Sequence, residues 1–163
     1  MKDKQSIPLI QQLHPKVRQD FQNGIEDCEK DFGIIFRIVQ AARTWQQMVD
    51  NYAIGRTVKG EGAGPGHPMG DIITNAPAGA SYHFYGLAVD GGPLKANGEV
   101  DYDYDQSKFA NIFAQYNITW GGNFPGNFKD MDHWENKLGH NWRDLLAKYQ
   151  AKDFIPGTEY VNI

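Results

Sequence analysis

The sequence predicts an α+β domain, on three observations. Apolar residues recur at helical spacing in several segments, short β-branched and aromatic runs stand between them, and the two kinds of element follow in irregular order without repeats. With 163 residues and no stretch that reads as a linker, a single domain spanning 1–163 is expected, long enough to bury a core without disulfides.

Val17, Phe21, Ile25, Cys28 and Phe32 recur at steps of four, four, three and four, so Pro15 to Phe32 reads as an amphipathic helix with Pro15 in its first turn. After Gly33, IIFRIV reads as a short buried strand that leads into the helical pattern AARTWQQMVDNYAIG, closed by Gly55. Arg43 therefore stands at a strand-to-helix junction. Gly60 to Gly70 (GEGAGPGHPMG) is a loop; its spaced glycines resemble a phosphate-binding turn, but no strand precedes them and no GK[ST] follows. SYHFYGLAVDGG suggests a strand beginning near Phe84. The alternating carboxylates Asp101, Asp103 and Asp105 lack the EF-hand order and read as a solvated loop, with Asp105 capping the next helix. Phe109, Ile112, Phe113 and Tyr116 mark that helix, ITWGG a further strand, DMDHWE another, and Trp142, Leu145, Leu146 and Tyr149 a last amphipathic helix.

Composition narrows the function. Aromatic residues make up 13% of the chain, consistent with an aromatic-rich enzyme or binding domain. The 16 basic against 20 acidic residues give a net charge of −4, and no Lys or Arg cluster supplies a nucleic-acid footprint, so no nucleic-acid partner is expected. Cys28, the single cysteine, can form no intramolecular disulfide and belongs to no Cys-rich zinc site; it is expected in the core. The N-terminal apolar patch is broken by Pro8 and too short for a signal-peptide core, and no stretch approaches membrane-spanning length. A chain made in the cytoplasm without a signal peptide, monomeric and not inserted in a membrane, is expected.

Catalytic zinc needs about three nitrogen or oxygen ligands and one open position, which directs attention to histidines with carboxylates nearby. His83 is followed seven residues later by Asp90, with the small residues Gly86 and Ala88 between them. Strict strand alternation would set the two on opposite faces, so a shared site requires a bulge or loop at His83. In DMDHWE, Asp130, Asp132 and Glu135 crowd His133. On these residues alone a mononuclear zinc site competes with surface ion pairing.

The segment Ser81 to Asp90, SYHFYGLAVD, resembles the SxHxxGxAxD motif of the zinc peptidases that cleave bacterial cell-wall peptides, the M15 family of phage L-alanyl-D-glutamate endopeptidases and D-alanyl-D-alanine carboxypeptidases and dipeptidases. ARTWQQMVDNYAIGRT is similar to the Arg-bearing segment of that family, ITNAPAGASYH to its approach to the metal histidine, and WGGNF with DMDHWE to its C-terminal motif. The likeness runs collinearly over roughly residues 12 to 150. It implies a small antiparallel sheet flanked by helices with zinc on its open face, and one Zn²⁺ per chain held by His83, Asp90 and His133. It also implies Asp130 as the catalytic carboxylate, Arg43 as the group that holds a substrate carboxylate or developing oxyanion charge, and Ser81 as a substrate contact. The plain alternatives are an ion pair at the strand end for Arg43 and a turn-setting role for Ser81. Asp132 is a rival base. His14, His67 and His140 match no ligand position and are expected to be structural or exposed. The chain departs from the family pattern at Met48, where a glutamine is usual; Gln47 immediately precedes it.

An aspartate at the base position resembles the phage endopeptidases, whereas the D-alanyl-D-alanine enzymes typically carry glutamate. The expected activity is therefore hydrolysis of the L-alanyl-D-glutamate bond in peptidoglycan stem peptides, by an endolysin-like bacteriolytic enzyme that reaches the wall through a pore or delivery device. The alternatives are a D-alanyl-D-alanine carboxypeptidase or dipeptidase and a non-catalytic zinc-containing wall-binding module.

Overall fold

The computed structural model describes residues 1–126 and 128–163. A short helix α1 (Ile7–Ile10) precedes α2 (Arg18–Asp31), β1 (Phe36–Gln40) and α3 (Trp45–Ala53). A 3₁₀ turn over Tyr82–Tyr85 leads into β2 (Ala88–Pro93), and another over Gln106–Phe109 into α4 (Ala110–Ala114). The chain finishes with β3 (Thr119–Trp120), a 3₁₀ turn over Gly121–Asn123, β4 (His133–Glu135) and α5 (Trp142–Gln150). The sheet is antiparallel throughout, in the order β1-β2-β4-β3, which agrees with the α+β reading.

Several expectations about elements need correction, and of ITWGG and DMDHWE only Thr119–Trp120 and His133–Glu135 are strand. IIFRIV forms a half-buried strand: Phe36 and Ile38 are buried whereas Ile35 and Val39 are exposed. Helices cover only one face of an antiparallel sheet like this one, so alternate residues face outward. The strand expected near Phe84 begins at Ala88, because Tyr82–Tyr85 coils into a 3₁₀ turn that Gly86 ends in the left-handed conformation (φ 67°). Only glycine fits there, since a Cβ on Gly86 would lie 2.7 Å from the backbone nitrogen of His14.

The predicted first helix starts at Arg18, with Pro15 in the turn just ahead of it. Phe21, Ile25 and Cys28 lie along its buried stripe, fully covered. Each large apolar side chain so covered contributes about 1.5–3 kcal/mol. Thr44 caps α3 through a reciprocal box with Gln47, so Gln47 is spent on holding the helix start, while Met48 points into the protein at 3% exposure.

Pairing sets the two faces of the sheet. Val89 lies opposite Trp134 and Trp120 opposite Trp134. These residues form the core face, where Trp134 packs 4.2 Å from Phe113 and 6.0 Å from Trp120 between ring centroids. The intervening residues, Asp90 opposite His133 and Ala88 opposite Glu135, therefore share the other face.

Candidate metal centre

Three side chains from three backbone contexts meet on that second face. The 3₁₀ turn aims His83 at the sheet, β2 supplies Asp90, and β4 supplies His133 directly across from it. The loop that the seven-residue spacing demanded is this turn. His83 Nε2 lies 2.9 Å from Asp90 Oδ1 and 3.1 Å from His133 Nδ1, and His133 Nδ1 lies 3.0 Å from the same carboxylate oxygen. Among the described residues this is the group of His, Cys, Asp or Glu arranged to hold a metal ion.

Protons outside the triangle decide what points into it. His83 Nδ1 donates to the Ala41 carbonyl at 2.6 Å, which leaves a lone pair on Nε2 when the ring is neutral. His133 Nε2 donates to Glu135 Oε2 at 3.2 Å, leaving its lone pair on Nδ1. Two lone pairs and an anionic oxygen thus face one another within hydrogen-bond distance, a repulsive set unless a proton or a cation sits among them. Tetrahedral zinc with bonds of about 2.05 Å would separate its ligand atoms by about 3.3 Å, within a few tenths of the triangle's sides. The donor set fits zinc.

The charge balance around the triangle supports the same arrangement. Burial pushes His83 below its ordinary value and keeps it neutral. Burial raises Asp90, but the hydrogen bonds and charges of His133 and His83 outweigh it and hold the carboxyl well below the usual range. Burial also disfavours charge on His133, yet Asp90 and Glu135 pull it up to about 9, so metal and proton compete for its Nδ1. Glu135 is buried at 3% exposure and pairs on its other oxygen with Lys137 Nζ at 2.9 Å. This carboxylate fixes the ring orientation of His133. Its role follows from the HxE spacing on a strand, which places both side chains on one face.

Asp130 stands half-buried at the turn before β4. Its amide donates to the Gly121 carbonyl at 3.3 Å, and its own carbonyl accepts from the His133 amide at 3.4 Å. The approach depends on Gly121: a Cβ there would lie 2.4 Å from Asp130 O and 3.0 Å from His133 Cβ. Sequence reasoning assigned Gly121 no task, although WGG was visible. Trp120 Nε1 donates to the Met131 carbonyl at 2.8 Å and holds the same loop. Asp132 shares the neighbourhood: burial, a hydrogen bond with Asp130 and the charges of Asp90 and Asp130 push its carboxyl up to about 6.

Arg43 forms the ion pair that was its plain alternative. Its Nη2 lies 2.7 Å from Asp90 Oδ2, its Nε donates to Gln40 at 2.6 Å, and its amide donates to the His83 carbonyl at 3.2 Å. It thereby ties the Asp90 carboxylate to the turn that carries His83. Ser81 precedes that turn; its carbonyl accepts from Phe84 and its side chain caps nothing. The other three histidines lie elsewhere: His14 is buried and donates to the Val161 carbonyl at 3.0 Å, His67 is exposed, and the His140 carbonyl accepts from Tyr82. Asp105 caps its helix through the Ser107 amide, as expected.

Comparison with known proteins places this geometry. The M15 peptidase profile described as D-alanyl-D-alanine carboxypeptidase matches residues 74–136. The chain is 30% identical over 141 residues to the peptidoglycan L-alanyl-D-glutamate endopeptidase CwlK of Bacillus subtilis (strain 168), covering 80% of this chain and 77% of that protein. Its fold is shared with the L-Ala D-Glu endopeptidase ChiX of Serratia marcescens at TM-score 0.54 and 17% identity, over 86% of this chain and 90% of that one. It is also shared with the D,D-pentapeptidase VanY of a VanB-type vancomycin-resistance cassette, solved with Zn(II), at TM-score 0.53 and 14% identity, over 76% and 72% of the two chains. Identity with CwlK sustained over most of both chains shows that this protein is a peptidase and a member of the M15 family.

Proposed function

We propose that the protein is a zinc-dependent endopeptidase of bacterial peptidoglycan that hydrolyses the L-alanyl-D-glutamate bond of the stem peptide. The observation that carries the zinc reading is the triangle of His83 Nε2, Asp90 Oδ1 and His133 Nδ1, with both histidine tautomers locked from outside by Ala41 and Glu135. Zinc bound there would supply Lewis acidity toward water and the scissile carbonyl. Asp130, beside His133, takes the proton of the attacking water and returns it to the leaving amine. Arg43 keeps Asp90 aligned through its outer oxygen, and Ser81 contacts the substrate at the entry to the His83 turn. The aspartate at position 130 and the relationship to CwlK both favour the internal bond over a terminal D-alanine.

We further propose that the chain works as a monomer holding one zinc, is made in the cytoplasm and acts as a lysin after release through a pore or delivery device. None of its described helices is long and apolar enough to cross a membrane. Digestion of purified peptidoglycan followed by mass spectrometry tests the bond: new L-alanine C-termini and D-glutamate N-termini are expected, and release of D-alanine alone would overturn it. Asp130→Ala is expected to keep its zinc and its fold while losing on the order of 10²–10⁴ in kcat. Unchanged turnover in that variant would remove Asp130 from its role.

A further inference from the structure

A groove of about 980 Å³ opens beside Arg43, between the first turn of α3, the turn that carries His83, the end of α5 and residues 157–161. Its aromatic wall is ordered. The rings of Trp45 and Tyr149 lie parallel, 6.1 Å apart at 6°, and Phe84 packs edge-on against them at 5.5 and 4.7 Å. Trp45 is 40% exposed, so part of its face is open to a ligand. The exposed amide of Gln12 and the NH2 of Gln47, whose carbonyl oxygen is engaged in capping α3, add hydrogen-bonding capacity. Charge is scarce: among the described residues that line the groove, the side chains charged at neutral pH are Arg43, already paired with Asp90 at 2.7 Å, and Glu159.

Aromatic faces with neutral amides and no unpaired cation match a neutral, hydroxyl-rich and amide-bearing ligand. They do not match the distal part of a stem peptide, whose carboxylates would find no cation there. Geometry narrows the ligand further. If the cleaved bond follows the first stem residue, the amide that joins stem to sugar is one residue away, and the glycan begins within about 7 Å of the scissile carbonyl. Arg43 touches Asp90 on one side and the groove on the other, so the groove starts one side chain from the proposed metal ligands.

We propose that this groove is a subsite for the N-acetylated glycan strand that bears the stem peptide, with a sugar face stacked on Trp45 and its acetamido group within reach of Gln12 and Gln47. The inference rests on the L-alanyl-D-glutamate reading, and its test separates the two. The zinc-loaded chain is assayed on a disaccharide-linked stem peptide and on the same peptide without sugar, and its binding to peptide-free glycan strands is measured by calorimetry. The parent is expected to favour the sugar-linked substrate at least tenfold in kcat/KM. Trp45→Ala is expected to bring that ratio close to one, and Gln12→Ala to lower it severalfold, both with normal circular dichroism. If neither peptide is cleaved at the L-alanyl-D-glutamate bond while the glycan binds and Trp45→Ala abolishes that binding, the bond assignment fails and the subsite stands. Equal rates on the two substrates without glycan binding would overturn the subsite and leave the bond assignment in place, as would a Trp45→Ala defect of equal size on both.

Discussion

At the scale of single residues, the candidate centre depends on charged side chains that stand outside the triangle. Glu135 stands behind His133, and Arg43 stands behind Asp90. Glu135→Gln keeps the volume but removes the charge that favours the Nε2–H tautomer. Zinc affinity, measured by competition with a chromogenic chelator, is expected to fall about 10–100-fold; an unchanged affinity would show that the ring is oriented without it. The three side chains that converge were legible in the sequence because metal chemistry admits few side chains and the SxHxxGxAxD residues could be matched one by one. The task of Arg43 was less legible: a guanidinium at a strand end suits a substrate carboxylate or an ion pair bracing that end, and the sequence does not reveal the proximity that pairs it with Asp90. Met48 illustrates the same limit. Its side chain is buried and its neighbour Gln47 caps α3, so the departure from the usual glutamine changes what α3 presents inward while its start stays capped.

At the scale of elements, local preference misled where a long-range contact prevails. The run YHFY has the composition of a strand, yet it coils because Gly86 reverses the chain against the backbone of residues 12–14. That reversal turns His83 toward Asp90 despite an odd spacing. Gly86→Ala is expected to cost about 1–2 kcal/mol for the left-handed conformation alone, with more from the contact at His14. Gly98→Ala is the matched control, since Gly98 has φ 85° but open space around its would-be Cβ. Thermal melts should show a larger loss for Gly86→Ala, accompanied by weaker zinc binding that Gly98→Ala does not share; equal losses would deny the turn its role in placing His83. The helices were easier to read, because α2 and α5 follow apolar periodicity along their length, whereas strands of two or three residues carry too little pattern to fix their ends.

At the scale of the whole molecule, the ends of the chain are clipped together through His14. Its Nε2 donates to the Val161 carbonyl, while Nδ1 accepts from the Lys16 amide at 3.3 Å, an arrangement only the neutral ring satisfies. Burial lowers the pKa of His14, with the charges of Lys16 and Arg18 adding to the effect and the bond to Val161 opposing it. A depressed histidine contributes stability above its unfolded value of about 6.5 and loses it as pH falls toward the folded value, at up to about 1.4 kcal/mol per pH unit. Melting temperatures between pH 7.5 and 5 should therefore decline more steeply in the parent than in His14→Gln; parallel slopes would assign the acid sensitivity elsewhere. Sheet pairing acts at this scale too. Asp90 and His133 face each other across β2 and β4, and a slip of one residue in either strand would turn a ligand inward and send Val89 or Trp134 outward. A cation held between these strands would gauge their alignment: it would bind the true register and reject its neighbours, so metal uptake during folding would select the native sheet from its near misses.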